Sequence, residues 1–326
     1  MILVAPAKIL GFGQVLWDYT VETDFSFLEK RGFTLGGHHL VDKTTLQKLL
    51  RTLEEEGHTV MKNPGGSTAN VMSNLAKLGT KSAFCGKHGK DQDGFEYMKI
   101  LQREGVITYE LLDEKEATGR LLCIITPDKE RTFVVHWGAA EQMPATRIEK
   151  SLIQSAELCH VEGYLIINSA EVLKKIFENA YCLTYDLAAH TVVNRTRPVL
   201  QELMKQHPPF ILFANLFEGK TFTQKNSPKE ISDEMLKFAE IAVLTLGPKG
   251  VIIKTREGEE HFEKALPTPV VDTTGAGDAF SAGFLHEFLK TMDIKKAARL
   301  GVKTASATIR RMGARSFHPQ QLKELC

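Results

Sequence analysis

In the 326-residue sequence, the run Val271-Asp272-Thr273-Thr274-Gly275-Ala276-Gly277-Asp278-Ala279-Phe280 holds the residue types that chemistry at a phosphate needs. Gly275 and Gly277 carry no side chain and Ala276 only a methyl, so successive backbone N–H groups can point at one place. An apolar pattern then runs through Phe284, Leu285, Phe288 and Leu289 at spacings that share one helix face. The spacing predicts a tight turn opening a helix, where converging amides and the helix dipole favour an anion. A carboxylate at an anion site repels the ligand unless its task is to take a proton from a hydroxyl that attacks the phosphate. That makes Asp278 the candidate general base. Asp278 reads equally as a helix-start carboxylate favoured by the dipole, with the glycines making an ordinary turn.

The elements that would position such a site follow from the rest of the chain. Residues 9–18 read as a buried strand ending in Asp18, which is placed to accept hydrogen bonds from sugar hydroxyls or to form a turn. Gly11 and Gly13 lack the third glycine and the immediate helix of a dinucleotide fingerprint. From Thr44, an N-cap candidate, Leu46, Leu49, Leu50 and Leu53 recur at helical spacing up to Gly57. The run from Asn63 to Asn70 carries Gly65 and Gly66 into a second helix that stops at Gly79. A glycine pair there lets backbone approach a ligand, and Asn70 offers a donor and an acceptor one turn inside; a capped helix accounts for the same pattern.

Residues 107–112, 120–126 and 131–136 predict a small antiparallel sheet. Inserted in an α/β chain, segments near 14–24 and 106–137 would make a lid that excludes water, or else a sheet extension or a dimer surface. Arg131 can reach a phosphate from that lid or stand as a solvated strand residue. After Pro144, strands alternate with helices, which implies a central mostly parallel sheet flanked by helices, with ligands at the carboxyl ends of the strands. Asn215 and Glu218, one turn apart after a strand at 210–213, can hold Mg²⁺ through its waters or cap a helix. Thr245, Gly247 and Gly250 lie in a turn that a hairpin explains by itself. Small residues in 298–309 let elements pack closely and leave a place where adenine can lie.

Composition narrows the partner. A formal net charge of +1 offers no electrostatic footprint for nucleic acid or an anionic membrane, so a bound anion must be held by a local site and the partner is a small molecule. Cys85, Cys123, Cys159, Cys182 and Cys326 are far apart and outside metal-ligand spacing, and read as reduced thiols. The apolar start from Met1 to Pro6 lacks a signal peptide's basic region, and no run has transmembrane length; the cytoplasm is the expectation, as monomer or homodimer.

Asp272 to Asp278, followed by Ala282-Gly283-Phe284-Leu285, resembles the C-terminal signature of the PfkB, or ribokinase-like, carbohydrate and nucleoside kinases. The resemblance implies one α/β ribokinase-like domain over residues 1–326 with a small β lid, and ATP-dependent transfer of the γ-phosphoryl group to a primary hydroxyl of a sugar or nucleoside. It assigns the anion hole to Gly275, Ala276 and Gly277 and the base to Asp278. Sugar binding goes to Asp18, Gly65, Gly66 and Asn70, nucleotide binding to Thr245, Gly247 and Gly250, and Mg²⁺ to Asn215 and Glu218. Gly86, Gly89, Asp91 and Gly94 match the family's loop after the next strand. Stimulation by a monovalent cation such as K⁺ is a family trait that no side chain here marks.

Thr68 departs from the commonest pattern toward the adenosine-kinase-like branch, which Gln14, Ser67 and the Gly163-Tyr164-Leu165 turn also resemble. Thr274 stands where animal adenosine kinases have Asn, and Leu165 where a Phe would stack on the base, so the expected acceptor is a furanose with nucleoside and simple sugar as competing cases. Adenosine kinase proper, a non-catalytic nucleotide or sugar sensor, and a dehydrogenase built on Gly11 and Gly13 are the rival readings.

Overall fold

The structure, a computed structural model, describes residues 7–323; Cys326 and the start from Met1 to Pro6 lie outside the described residues. Its strands are β1 (Ile9–Gln14), β2 (Leu16–Glu22), β3 (His38–Leu40), β4 (Met61–Pro64), β5 (Ser82–Gly89), β6 (Ile107–Asp113) and β7 (Gly119–Ile125). They continue with β8 (Arg131–His136), β9 (Leu158–Glu162), β10 (Leu183–Asp186), β11 (Ile211–Asn215), β12 (Ile241–Thr245), β13 (Val251–Thr255) and β14 (Glu260–Glu263).

The larger sheet runs β14-β13-β12-β11-β10-β9-β1-β5-β6. From β6 to β12 every neighbouring pair is parallel, and β13 and β14 close one edge antiparallel. Its central strands are buried along their length because helices cover both faces, so they read as unbroken apolar runs. Chain order runs outward in both directions from the β1–β9 pair. That reversal opens a crevice at the carboxyl ends of the strands, where an open α/β sheet binds its ligands.

The smaller sheet runs β3-β8-β7-β2-β4 and departs from the expected lid in two ways. Residues 107–113, expected in the lid, pair in parallel with β5 in the larger sheet, since β5, the helix Gln92–Arg103 and β6 make a crossover unit whose last strand returns beside the first. The lid is also mixed: β2 pairs with β7 and β3 with β8 in parallel, while β7 with β8 and β2 with β4 are antiparallel. The expected single strand over residues 9–18 is two, interrupted at Val15, so that β1 stays in the body and β2 carries Asp18 into the lid. The helix Lys43–Glu55 beneath the lid is capped by Asp42, whose side chain accepts from the Thr45 N–H at 2.8 Å, and not by Thr44.

Two helices set the site. Ser67–Lys77 lies on β1 and packs against Ala276–Thr291, whose Phe284 and Phe288 are buried on the predicted face, their rings stacked 5.8 Å apart. Gly11 and Gly13, which superficially suggested a dinucleotide turn, explain the closeness of the first helix. A Cβ on Gly11 would lie 2.5 Å from the Thr68 methyl, and one on Gly13 would lie 2.7 Å from Thr68 Cβ. Gly11→Ala therefore pushes the helix off its strand, and overpacking of this kind costs ~1–3 kcal/mol. Urea unfolding should show that loss as a lowered midpoint with unchanged slope; a wild-type midpoint would contradict the packing argument.

Candidate active site

Both helices open on a glycine in the left-handed half of backbone space, Gly66 at φ 81° and Gly275 at φ 73°, and no side chain caps either one. Their first-turn N–H groups are thus not occupied by a capping side chain. A Cβ on Gly277 would meet nothing within 4 Å, so the second turn position faces open space, as an anion cradle requires. Gly275 instead backs directly onto Ala314, leaving no room for a Cβ.

Asp278 lies in the first turn of its helix and is held by the other one. Ser67 Oγ donates to Oδ1 at 2.7 Å and Asn70 Nδ2 to Oδ2 at 2.8 Å. Ser67 and Asn70 are three apart on one helix face, so a single rigid element aims both donors. Burial raises the Asp278 carboxyl above its ordinary value, while the Ser67 and Asn70 hydrogen bonds and the Arg315 charge pull it down. The carboxylate is oriented yet still basic.

Three spaces lie at this end of the sheet, and Asp278 lines one of them. A cavity of about 640 Å³ is lined by Thr245, Gly247 and Gly250 on one side and by Ala276, Gly277, Val302, Ala305 and Ser306 on the other, bringing together the predicted nucleotide residues and the small-residue helix. A channel of about 280 Å³ follows, holding Gly275, Gly277, Asp278, Asn215, Glu218 and Asp186. Beneath the lid a pocket of about 140 Å³ contains Asp18, Asn63, Arg131, Asp272 and Thr274, with Leu121, Ile125 and Phe133 as its apolar wall. A Cβ on Gly65 would overlap the Asp18 carboxylate, so that glycine is where it is to admit Asp18. Asn70 lines none of the three and is engaged at both ends by protein, so it reaches the site through Asp278. Leu165 is buried in the core and lines none of the three spaces; Phe133 is the aromatic in the pocket beneath the lid.

Asn215 and Glu218 form a reciprocal capping box: the Asn215 side chain accepts from the Glu218 N–H at 3.0 Å and the Glu218 carboxylate accepts from the Asn215 N–H at 2.8 Å. The local reading as a cap describes what these groups do in the protein. Glu218 nevertheless has two acidic neighbours along the sheet edge, Glu162 and Asp186, that the sequence pattern did not single out. Glu162 ends β9 and Asp186 ends β10, each a lone acid closing an apolar strand at the carboxyl edge of the sheet. Burial pushes Glu162 up to about 8, and pushes Glu218 and Asp186 upward too, with the Asp186 charge adding to the effect on Glu218. Burial also raises Asp18 to about 7 against the lowering influence of Arg315. Among the described residues no three His, Cys, Asp or Glu converge closely enough to grip a bare ion. Uncompensated buried carboxylates at separated positions fit a hydrated divalent cation, which magnesium commonly remains when bound.

Arg131, left open between phosphate contact and solvated strand residue, lines the pocket beneath the lid and is held there by protein partners. Its guanidinium donates to Asp272 Oδ1 at 3.1 Å and to Thr274 Oγ1 at 3.3 Å, tying the lid to the start of the glycine turn. Asp272 also accepts from the Thr274 and Gly313 N–H groups, which hold it below the usual carboxylate range together with the Arg131 charge, against burial. Asp91 caps the helix Gln92–Arg103 and accepts from Thr118 at the root of β7.

A profile described as "pfkB family carbohydrate kinase" matches residues 40–321. An uncharacterized sugar kinase of Archaeoglobus fulgidus is 29% identical over 251 residues, spanning 76% of this chain and 99% of that one. Adenosine kinase 2 of Arabidopsis thaliana is 25% identical over 334 residues, 94% of each chain. The crystal structure of adenosine kinase from Sinorhizobium meliloti superposes with a TM-score of 0.87 at 25% identity, covering 98% of this chain and 99% of that one.

The raised acids carry a stability signature. A carboxyl whose folded value is raised stabilises fully below its unfolded value, and the contribution is lost as pH rises through the folded value, here about 7 for Asp18 and about 8 for Glu162. Buried His160 and His286 act oppositely, but their effect is complete above the ordinary histidine value of 6.5. Between roughly pH 6.5 and 8 the acids therefore decide the sign. Without divalent metal the thermal midpoint should fall over that interval, Glu162→Gln should flatten the slope, and Mg²⁺ should raise the midpoint more at the alkaline end. A midpoint that climbs with pH there would show that the buried acids do not behave as described.

Proposed function

The chain belongs to the pfkB family of carbohydrate kinases, in its adenosine-kinase-like branch, and from that premise we propose that it transfers the γ-phosphoryl group of ATP to a primary hydroxyl of a furanose-containing acceptor. The observation that carries the reading is the place of Asp278: aimed by Ser67 and Asn70, beside the open Gly275–Gly277 turn, between a nucleotide-sized cavity and a lidded pocket containing Asp18.

In the proposed reaction the acceptor hydroxyl oxygen forms a bond to the γ-phosphorus as the bond to the β–γ bridging oxygen breaks. ADP leaves with that electron pair, and the hydroxyl proton passes to Asp278. The amides of the Gly275–Gly277 turn face the charge that develops on the transferring group, and Asp18 accepts hydrogen bonds from the acceptor's diol. Asn215, Glu218 and Asp186, which line the channel, are the residues that would hold magnesium through its waters; when bound, the ion would neutralise charge on the β- and γ-phosphate oxygens. Lid residues from β2, β7 and β8 close the acceptor pocket against water, which protects ATP from hydrolysis.

The acceptor's class turns on the apolar wall. Phe133, Leu121 and Ile125 give the pocket an apolar lining that a free sugar does not use, which supports a nucleoside over a plain furanose. Stacking of a base on an aromatic is worth roughly 1–3 kcal/mol, so kcat/KM for adenosine should exceed that for ribose, and Phe133→Ala should lower the ratio by about tenfold. An unchanged ratio in the variant would remove Phe133 as the base platform, and a wild type that does not prefer adenosine would return the choice to the simple sugar.

Two substitutions test the machinery. Asp278→Asn preserves shape but not proton acceptance, and turnover should fall by ~10²–10⁴-fold with ATP binding kept. Glu218→Gln should raise the Mg²⁺ concentration needed for half-maximal rate. Near-normal turnover in a correctly folded Asp278→Asn protein would remove the base assignment, and an unchanged Mg²⁺ dependence would remove Glu218 from the metal's surroundings.

A further inference from the structure

Residues 313–315 follow the last long helix, and each touches a different part of the site. The Gly313 N–H donates to Asp272 Oδ2 at 2.9 Å, Ala314 backs Gly275, and Arg315 reaches into the interior. The Arg315 side chain is only 5% exposed. Its Nε donates to Asn70 Oδ1 at 2.8 Å, and Nη2 donates to the Gly65 carbonyl at 2.9 Å and meets the Tyr97 hydroxyl at 2.8 Å. Nη1 pairs with Glu104 at 3.4 Å, and Lys77 Nζ holds the Arg315 carbonyl at 2.6 Å.

Asn70 can present either end of its amide, and the two ends are nearly the same shape. An ionised carboxylate only accepts and a guanidinium only donates. With Arg315 on one side, Asn70 Oδ1 must face the guanidinium, which leaves its N–H₂ to face Asp278. A flipped amide would set an oxygen against the Asp278 carboxylate and a donor against a donor. The same guanidinium fixes the Gly65 carbonyl, next to the backbone that makes room for Asp18.

We propose that Arg315 is a positioning residue for phosphoryl transfer, setting the amide of Asn70 so that it aims the Asp278 carboxylate, and linking base and acceptor subsite through Gly65. The role rests on the kinase reading above. Its charge also lowers both Asp18 and Asp278, so its loss has a second, separable mark in the pH profile.

The test compares wild type, Arg315→Met, Arg315→Lys, Asn70→Ala, Glu104→Gln and the Arg315→Met/Asn70→Ala pair, with melting curves for each. A hydrogen bond to a charged group is worth enough that Arg315→Met should lose ~10- to 100-fold in kcat with the KM for ATP unchanged. The acid limb of its pH–rate profile should move to higher pH, and Arg315→Lys, which keeps the charge, should restore that limb. Because Arg315 acts through Asn70, kcat of the double variant on the plateau above the acid limb should be no lower than that of Asn70→Ala. Glu104→Gln, which touches the far end of the guanidinium, should lower the melting point without moving the acid limb.

Losses that multiply in the double variant, or a folded Arg315→Met with wild-type kcat and pH profile, would overturn the proposal. If Arg315→Met does not fold, Arg315→Lys with and without Asn70→Ala decides by the same non-additivity. A wild type inert toward every sugar and nucleoside tried would overturn the kinase reading and this role with it, whereas an active wild type matched by its Arg315 variants overturns this role alone.

Discussion

The two hydrogen bonds that Ser67 and Asn70 donate to Asp278 join parts of the chain more than two hundred residues apart, and the architecture of the site depends on them. They require the N-termini of two helices to meet at the carboxyl edge of the sheet. That in turn requires the helix Ser67–Lys77 to lie close on β1, which Gly11 and Gly13 permit, and the helix Ala276–Thr291 to pack through its stacked phenylalanines. Both helices begin without a side-chain cap, so first-turn donors such as the Gly277 N–H have no capping partner there. An anionic ligand gives those donors partners.

The charges around this point are unevenly balanced. Asp186 and Glu218 line the channel, Glu162 is buried at the end of the neighbouring strand, and all three are pushed upward, so that side of the site carries more potential negative charge than its protein partners offset. On the opposite side, Arg315 beneath the acceptor pocket and Arg131 in its roof are each hydrogen-bonded to several groups. The lid side is thus internally compensated, and the uneven charge of the channel supports the proposed cation accompanying phosphate. Burial of an acid that lacks a partner costs stability, and such sites are commonly functional.

Much of this was legible in the sequence where one residue type has one physical use. Glycines flanking a small residue before an amphipathic helix announce the turn, and apolar strands alternating with helices announce the parallel sheet. What escaped was long-range pairing. Residues 107–113 have the composition of a lid strand, but their partner is decided by the crossover from β5, which composition does not record. Arg315 and Tyr97 have no local pattern at all, since their partners lie far away in the chain. Glu162 and Asp186 left a readable trace, a single acid closing each apolar strand, yet only their burial gives that trace its meaning. Asn215 and Glu218 show the reverse: the cap that local spacing predicted is there, and the same two residues line the channel.

In the proposed reaction Asp278 takes a proton and never the phosphoryl group, so that transfer passes directly from nucleotide to acceptor. Running the reaction with ATP made chiral at the γ-phosphorus by oxygen isotopes and sulfur tests that most directly. A single in-line displacement predicts inversion of configuration in the phosphorylated acceptor. Net retention would mean two displacements through a phosphorylated protein side chain, and would contradict the role on which the site's description rests.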